Sequence, residues 1–334
     1  MPGLRERAEA AGYQLGWKLV CKVPESWADE AFRFFADLAW RREGPSVRML
    51  EANLVRVLGP DAGGKKLRAL SRQSMRSYAR YWLEVFRLPV MPVDRLVDGM
   101  RFEGPFDTAF AELASGRGIV FALPHMGNWD QAGAWIIAKG AGSVTAVMER
   151  LKPESVYEKF LTFREGLGME VLPASGGARP FGVLAQRLRA GNVVVLVADR
   201  DVTGSGIEVD FFGEKCMMQP GAAALARQTG AALRPVVLWF EEDGWGVRIG
   251  EEITVPPVGS RREQVAAMMQ DVARFFEDGI REHPQDWHMM QPVFVADLDL
   301  YGSGGSSAQS GKARRAAARD HVPGNGELTG QEVP

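Results

Sequence analysis

His125-Met126-Gly127-Asn128-Trp129-Asp130 sets a histidine five residues ahead of an aspartate. Imidazole is the side chain best suited to exchange a proton near neutral pH, and a carboxylate one helical turn away can orient its ring and favour the charged form. His125 and Asp130 are therefore a candidate general base and its partner. Other roles are open to both: the dipole of a first helical turn favours Asp130 by itself, and His125 could bond a loop carbonyl. Asp199-Arg200-Asp201 is a second polar cluster, directly after the apolar run Val193-Val194-Val195-Leu196-Val197. Asp199 is a candidate second carboxylate for the histidine or for an acceptor hydroxyl. Which of Asp199 and Asp201 faces the centre depends on alternation at the strand end, and Arg200 could instead form a structural ion pair with either.

These residues need a scaffold that brings strand ends together. Ile119-Val120-Phe121-Ala122-Leu123-Pro124 reads as a buried parallel strand, and the residues from Asp130 to Lys139 read as a helix. Asn128 is a good N-cap with Gln131 three residues on, as in a capping box. His125 thus falls in a strand-to-helix turn, at the carboxyl-end crevice where open α/β sheets bind ligands. Strands are expected at 118–123, 143–148, 169–173, 192–198, 207–212 and 234–240, with an edge strand at 252–255. Helices are expected at 128–139, 153–166, 180–189, 219–229 and 260–282. This alternation predicts an α/β fold with a mostly parallel central sheet covered by helices. Residues 1–98 read as an amino-terminal helical region, 99–300 as the core, and 301–334 as a disordered tail opening on Gly302-Ser303-Gly304-Gly305-Ser306-Ser307. Phe211, Phe212, Met217 and Met218 could line an apolar groove or simply fill the core.

Composition excludes several classes. The net charge of −2 over 334 residues offers nothing to nucleic acid. Cys21 and Cys216 make no disulfide framework, and the four histidines show no metal-ligand spacing, so no metal is expected. The polar start and the lack of a long apolar run predict neither a signal peptide nor a spanning helix. No nucleophile elbow, phosphate loop or dinucleotide fingerprint is present. Charge is uneven: residues 1–100 hold 17 Lys and Arg against 12 Asp and Glu. Within a helix expected from about Lys65 to Leu88, Arg68, Arg72, Arg76 and Arg80 recur every four residues as one basic stripe. That stripe is either a solvated face or a contact to an anionic membrane surface.

The ordered set of motifs resembles the bacterial lipid A biosynthesis acyltransferase family, within the glycerolipid acyltransferases. It comprises His125 and Asp130, Phe163-Arg164-Glu165-Gly166-Leu167-Gly168, Val197-Ala198-Asp199-Arg200-Asp201, and Phe211-Phe212-Gly213 with Pro220-Gly221 and Thr229-Gly230-Ala231. Gly12-Tyr13-Gln14-Leu15-Gly16-Trp17 and Asp286-Trp287-His288-Met289 bring it nearest the actinobacterial branch that acylates phosphatidylinositol mannosides. The resemblance covers about residues 8–295 and departs from the lipid A branch in lacking an amino-terminal spanning helix. It implies transfer of a palmitoyl-like chain from acyl-CoA, a co-substrate with no further cofactor, to a mannose hydroxyl. It also implies a peripheral enzyme on the cytoplasmic face of the plasma membrane, with an acyl groove. The same resemblance puts Arg164 at the reaction centre, where a guanidinium could stabilise an oxyanion or hold a pantetheine or phosphate group. Glu149 could bond sugar hydroxyls or pair with an arginine, and Ser205 and Thr203 are candidate contacts to the donor. A thioester is activated enough for direct transfer to the hydroxyl, with His125 as the base and no acyl-enzyme.

Overall fold

The computed structural model describes residues 16–17, 19–59, 63–140, 142–149, 154–174, 180–202 and 204–301. The tail expected after 301, Thr203 and Gly12-Tyr13-Gln14-Leu15 lie outside them. Among the described residues, helical residues 19–22 are followed by three longer helices: α1 (Glu25–Arg41), α2 (Pro45–Leu58) and α3 (Gly64–Arg87). Short α4 (Val93–Asp98), strand β1 (Met100–Glu103) and α5 (Phe106–Ala114) lead into β2 (Ile119–Leu123) and α6 (Trp129–Ala138). The alternation continues through β3 (Val144–Met148), α7 (Glu154–Gly166), β4 (Glu170–Pro173), α8 (Phe181–Arg189) and β5 (Val193–Val197). A hairpin of β6 (Ile207–Phe211) and β7 (Glu214–Met218) precedes α9 (Gly221–Thr229). Then come β8 (Ala232–Glu241), β9 (Gly244–Ile249), α10 (Arg261–Glu282) and α11 (Val295–Tyr301).

Among the described residues seven strands form one sheet, in the order β1-β9-β8-β2-β5-β3-β4. Every neighbouring pair is parallel except the β8–β9 hairpin. β2, at the centre, is buried on both faces, as its unbroken apolar run requires. Its pleat divides the core. Val120 and Ala122 join Val194, Leu233 and Val237 beneath α8, α9, α10 and the β6–β7 hairpin. Ile119, Phe121 and Leu123 join Val193, Val236 and Leu238 against α3, α6 and α7. Tyr81 and Val85 of α3 belong to that second cluster, so the amino-terminal helices complete the core and also share a smaller one of their own around Leu50, Leu54 and Leu70. α10 starts on a full capping box, Ser260 with Glu263, as the Ser-x-x-Glu spacing dictates.

Two expectations need correction. The edge strand at 252–255 is absent, and the sheet is extended instead by β9 and β1. Pro256 and Pro257 cannot donate to a ladder. β9 escaped notice because Gly244 and Gly246 weaken its pattern; Gly246 is needed because the Trp239 ring lies where any Cβ would go. Phe211 and Met218 line no groove either, being fully buried in the cluster under α10.

Candidate active site

β2 and β5 are parallel neighbours with Leu123 opposite Val197. Two residues past each strand end stand His125 and Asp199, so the register carries both to the same level on adjacent strands. Asp199 Oδ1 meets His125 Nδ1 at 2.6 Å, and Asp199 Oδ2 accepts the His125 backbone N–H at 2.9 Å and the Trp287 indole N–H at 3.0 Å. Asp199 is fully buried, whereas the His125 side chain is 29% exposed. Burial alone would raise the Asp199 carboxyl, but the charge and hydrogen bonds of His125, with the Trp287 donor, hold it below the usual carboxylate range. An ionised carboxylate only accepts, so Nδ1 carries a proton, and in the neutral ring Nε2 is then the nitrogen with the lone pair. That is the tautomer a general base requires.

The carboxylate on His125 is thus Asp199, and the expectation that Asp130 orients the ring is corrected. Asp130 sits in the first turn of α6 and turns to Arg164 instead. Arg164 Nε lies 2.6 Å from Asp130 Oδ1, its Nη2 lies 3.0 Å from Oδ2, and Tyr81 Oη donates to Oδ2 at 2.9 Å. Burial would lower the Arg164 guanidinium, yet Asp130 against it raises it above its ordinary value. A helix spaces Asp130 from His125 by a turn, but the α6 axis decides which way each points, and no local pattern encodes that axis. Gly127, between them at φ 59°, is 2.7 Å from the Leu238 backbone at its ideal Cβ position, so the turn requires glycine. Asn128 caps α6 by accepting the Gln131 N–H at 3.0 Å, but the Gln131 amide makes no return bond, so the expected box is half formed.

Trp129 links the two pairs. Its ring packs edge-on to His125 at 5.9 Å and against Tyr81 at 4.3 Å. It also lines an apolar cavity with Phe102, Phe110, Leu123, Trp135 and Val247, on the opposite face of the sheet from Phe211 and Met218. Neither Tyr81, Trp129 nor Trp287 was expected at the site. Trp129 stands inside the His125–Asp130 motif, but Tyr81 and Trp287 come from segments with no chemical spacing to mark them.

The other expected residues separate into rim and turn. Arg200 Nη2 bonds Glu149 Oε2 at 2.7 Å, with Arg200 16% and Glu149 56% exposed. Asp201 accepts the Gly204 and Gly206 N–H groups at 3.0 and 2.9 Å and the Gln219 amide at 2.7 Å, closing the turn after β5. Ser205 is exposed on that turn.

The arginine stripe of α3 is no open basic face. Arg68 meets Glu51 and Glu43 at 2.6 and 3.0 Å, and Arg72 and Arg76 both clasp Asp37 of α1. Arg80 meets Glu84 at 2.7 Å and the Glu241 carbonyl at 2.7 Å. Four-residue spacing aligned them, as expected, but toward acidic neighbours that neutralise them. The exposed apolar stripe lies on α1 instead, where Trp27, Phe34 and Phe35 are 71, 62 and 64% exposed. Among the described residues no helix is long and apolar enough to cross a membrane, and no cluster of His, Cys, Asp or Glu could hold a metal ion.

Known proteins match this chain over most of its length. The family model for bacterial lipid A biosynthesis acyltransferase matches residues 9–295. A phosphatidylinositol mannoside acyltransferase of Mycolicibacterium smegmatis is 47% identical over 289 residues, covering 86% of this chain and 91% of that protein. One from Mycobacterium tuberculosis is 48% identical over 289 residues, covering 86% and 88%. With the family model spanning nearly the whole described fold, the chain belongs to the bacterial lipid A biosynthesis acyltransferase family.

Proposed function

We propose that this acyltransferase moves a long, palmitoyl-like acyl chain from acyl-CoA to a mannose hydroxyl of a phosphatidylinositol mannoside. The acceptor class follows the names of relatives about 47% identical to it. The observation that carries the mechanism is the buried Asp199 carboxylate 2.6 Å from His125 Nδ1. His125 Nε2 takes the hydroxyl proton as the oxygen attacks the thioester carbonyl carbon. The tetrahedral oxyanion collapses, the C–S bond breaks, and the imidazolium returns the proton to the leaving thiolate. Asp199 stabilises the imidazolium in between. No acyl-enzyme forms. Cys216, whose thiol burial pushes far up, is a poor nucleophile.

Arg164 is fixed by Asp130 and Tyr81, so it offers a charge to the oxyanion or to a phosphate of the donor without reorganising. Asp130 then positions Arg164, not the histidine. Glu149 and Arg200 stand at the rim where sugar or donor groups bind, and Ser205 on the turn beside them is a donor contact. The apolar cavity behind Trp129, whose ring packs against His125, is where the acyl chain would enter, and at about 40 Å³ it takes a long chain only by widening. The enzyme sits peripherally on the cytoplasmic face of the plasma membrane. Its membrane contact is the α1 stripe of Trp27, Phe34 and Phe35, with exposed Lys22 before the helix and Arg41 and Arg42 at its end. Exposed aromatics with cations at the ends match the interfacial layer of a bilayer.

The test is His125→Ala. Turnover of acyl-CoA with a phosphatidylinositol mannoside acceptor should fall by at least roughly 10²-fold, with acyl-CoA binding little changed. Near-normal turnover in that variant sinks the mechanism.

A further inference from the structure

Asp199 faces an orientation problem. The terminal torsion of an aspartate is broad, so its rotamer alone does not aim the carboxylate. Two of the three donors that hold it, the Nδ1–H and the backbone N–H, belong to His125 itself. A pair that orients itself has no external reference. Among the described residues the remaining donor is the indole of Trp287, fully buried and packed against Phe211 and Phe212.

The segment carrying Trp287 also grips the histidine turn. The Asp286 carbonyl accepts the Gly127 N–H at 3.0 Å, and the His288 N–H donates to the His125 carbonyl at 2.7 Å. An isolated antiparallel bridge joins Met126 to Trp287 between them. The strap is itself anchored. Asp286 accepts the Ser77 hydroxyl of α3 at 2.6 Å and the Phe240 N–H of β8 at 3.1 Å. Three consecutive residues therefore reference both halves of the dyad to the rest of the fold.

We propose that Trp287 is a positioning residue of the reaction: its indole N–H fixes Asp199 Oδ2 so that Oδ1 is aimed at His125. This rests on His125 acting as the base. The donor also draws charge from the carboxylate. Without it, more negative charge faces the His125 ring, the protonated ring is favoured, and the acid limb of the pH profile moves to higher pH.

Burial holds His288, behind the His125 carbonyl, down to about 3, and pushes the Cys216 thiol of β7 up. Neither changes charge near neutral pH. Burial would lower the Arg56 guanidinium, but Glu214 and Asp297 raise it above its ordinary value, so it stays charged. Asp286, pushed up to about 6 by burial, does titrate in this range, so Asp286→Asn is the control that removes it.

The experiment compares Trp287→Phe, which keeps most of the ring and loses the donor, with Phe294→Leu, a fully buried core residue stacked on Phe211. Losing one hydrogen bond to a charged group should lower kcat of Trp287→Phe about 10-fold, with KM for acyl-CoA unchanged. The acid limb should move upward, and the strongly deshielded proton resonance of the short Nδ1–H···Oδ1 bond should shift or broaden. Phe294→Leu should lose stability and keep both the limb and the resonance. Trp287→Phe that keeps the wild-type resonance and pH profile, or that only loses stability as Phe294→Leu does, overturns the proposal. The resonance is read without substrate, so it decides on Trp287 even if acyl-CoA proves not to be the donor.

Discussion

Two aspartate–arginine clusters, one behind the reaction crevice and one between surface helices, use the same chemistry in different surroundings. Asp130, 2% exposed, takes both nitrogens of Arg164, itself 14% exposed, and the Tyr81 hydroxyl. Asp37, 13% exposed, takes Arg72 and Arg76, each more than a third exposed. The Arg72 and Arg76 guanidiniums hold the Asp37 carboxyl well below the usual carboxylate range. Water and salt screen that outer cluster, so it ties α1 to α3 with little net energy. The inner cluster has no water to fall back on. Its charges are expensive to separate, which makes it a rigid mount and a poor reserve of stability.

The sharpest test of that contrast is Arg164→Met. It strands the Asp130 charge in the interior and should destabilise the fold by about 3–5 kcal/mol, the scale for breaking a buried pair. Chemical denaturation measures it, and a loss no larger than that of the outer cluster would erase the distinction. Asp37→Ala should cost much less, and the loss should shrink further in high salt. Because the folded-state value of Asp37 is depressed, its contribution is present above the unfolded value and disappears as pH falls through the folded one. The gap between wild type and Asp37→Ala should therefore be constant near neutrality and close only in acid. Denaturation curves at neutral and acidic pH check both. Smallest in stability is the triple change of Trp27, Phe34 and Phe35 to serine, expected to stay within about 0.5 kcal/mol because all three side chains are exposed. Its effect should appear elsewhere, as lost co-sedimentation with phosphatidylcholine–phosphatidylinositol vesicles that salt does not mimic. Undiminished vesicle binding would move the membrane contact off α1.

Much of the fold was open to sequence reading because it rests on local pattern. The run Ile119–Leu123 could only be a strand buried on both faces, and each expected helix from 128 to 282 falls within two residues of its observed bounds. What escaped were elements whose signal is weak or borrowed. β9 carries Gly246, which its Trp239 neighbour demands, and β1 is four residues long. The site divides the same way. His125, Asp199 and Arg164 were visible as reactive types at element ends. Trp287 was visible only as part of a motif, since an indole in apolar surroundings reads as core until its N–H is seen to reach Asp199.

The sequence by itself determined that a histidine stands in a strand-to-helix turn and that a carboxylate follows another buried strand. Both follow from apolar runs and cap residues within a few positions of one another. Only the tertiary structure decided that β5 lies beside β2, with Leu123 opposite Val197, and so that Asp199, 74 residues away, meets His125. Strand order is set by how helices cover the two faces of the whole sheet, which no local window contains. For the same reason, spacing could align four arginines on α3 but could not show that α1 and α2 had already placed acids against them.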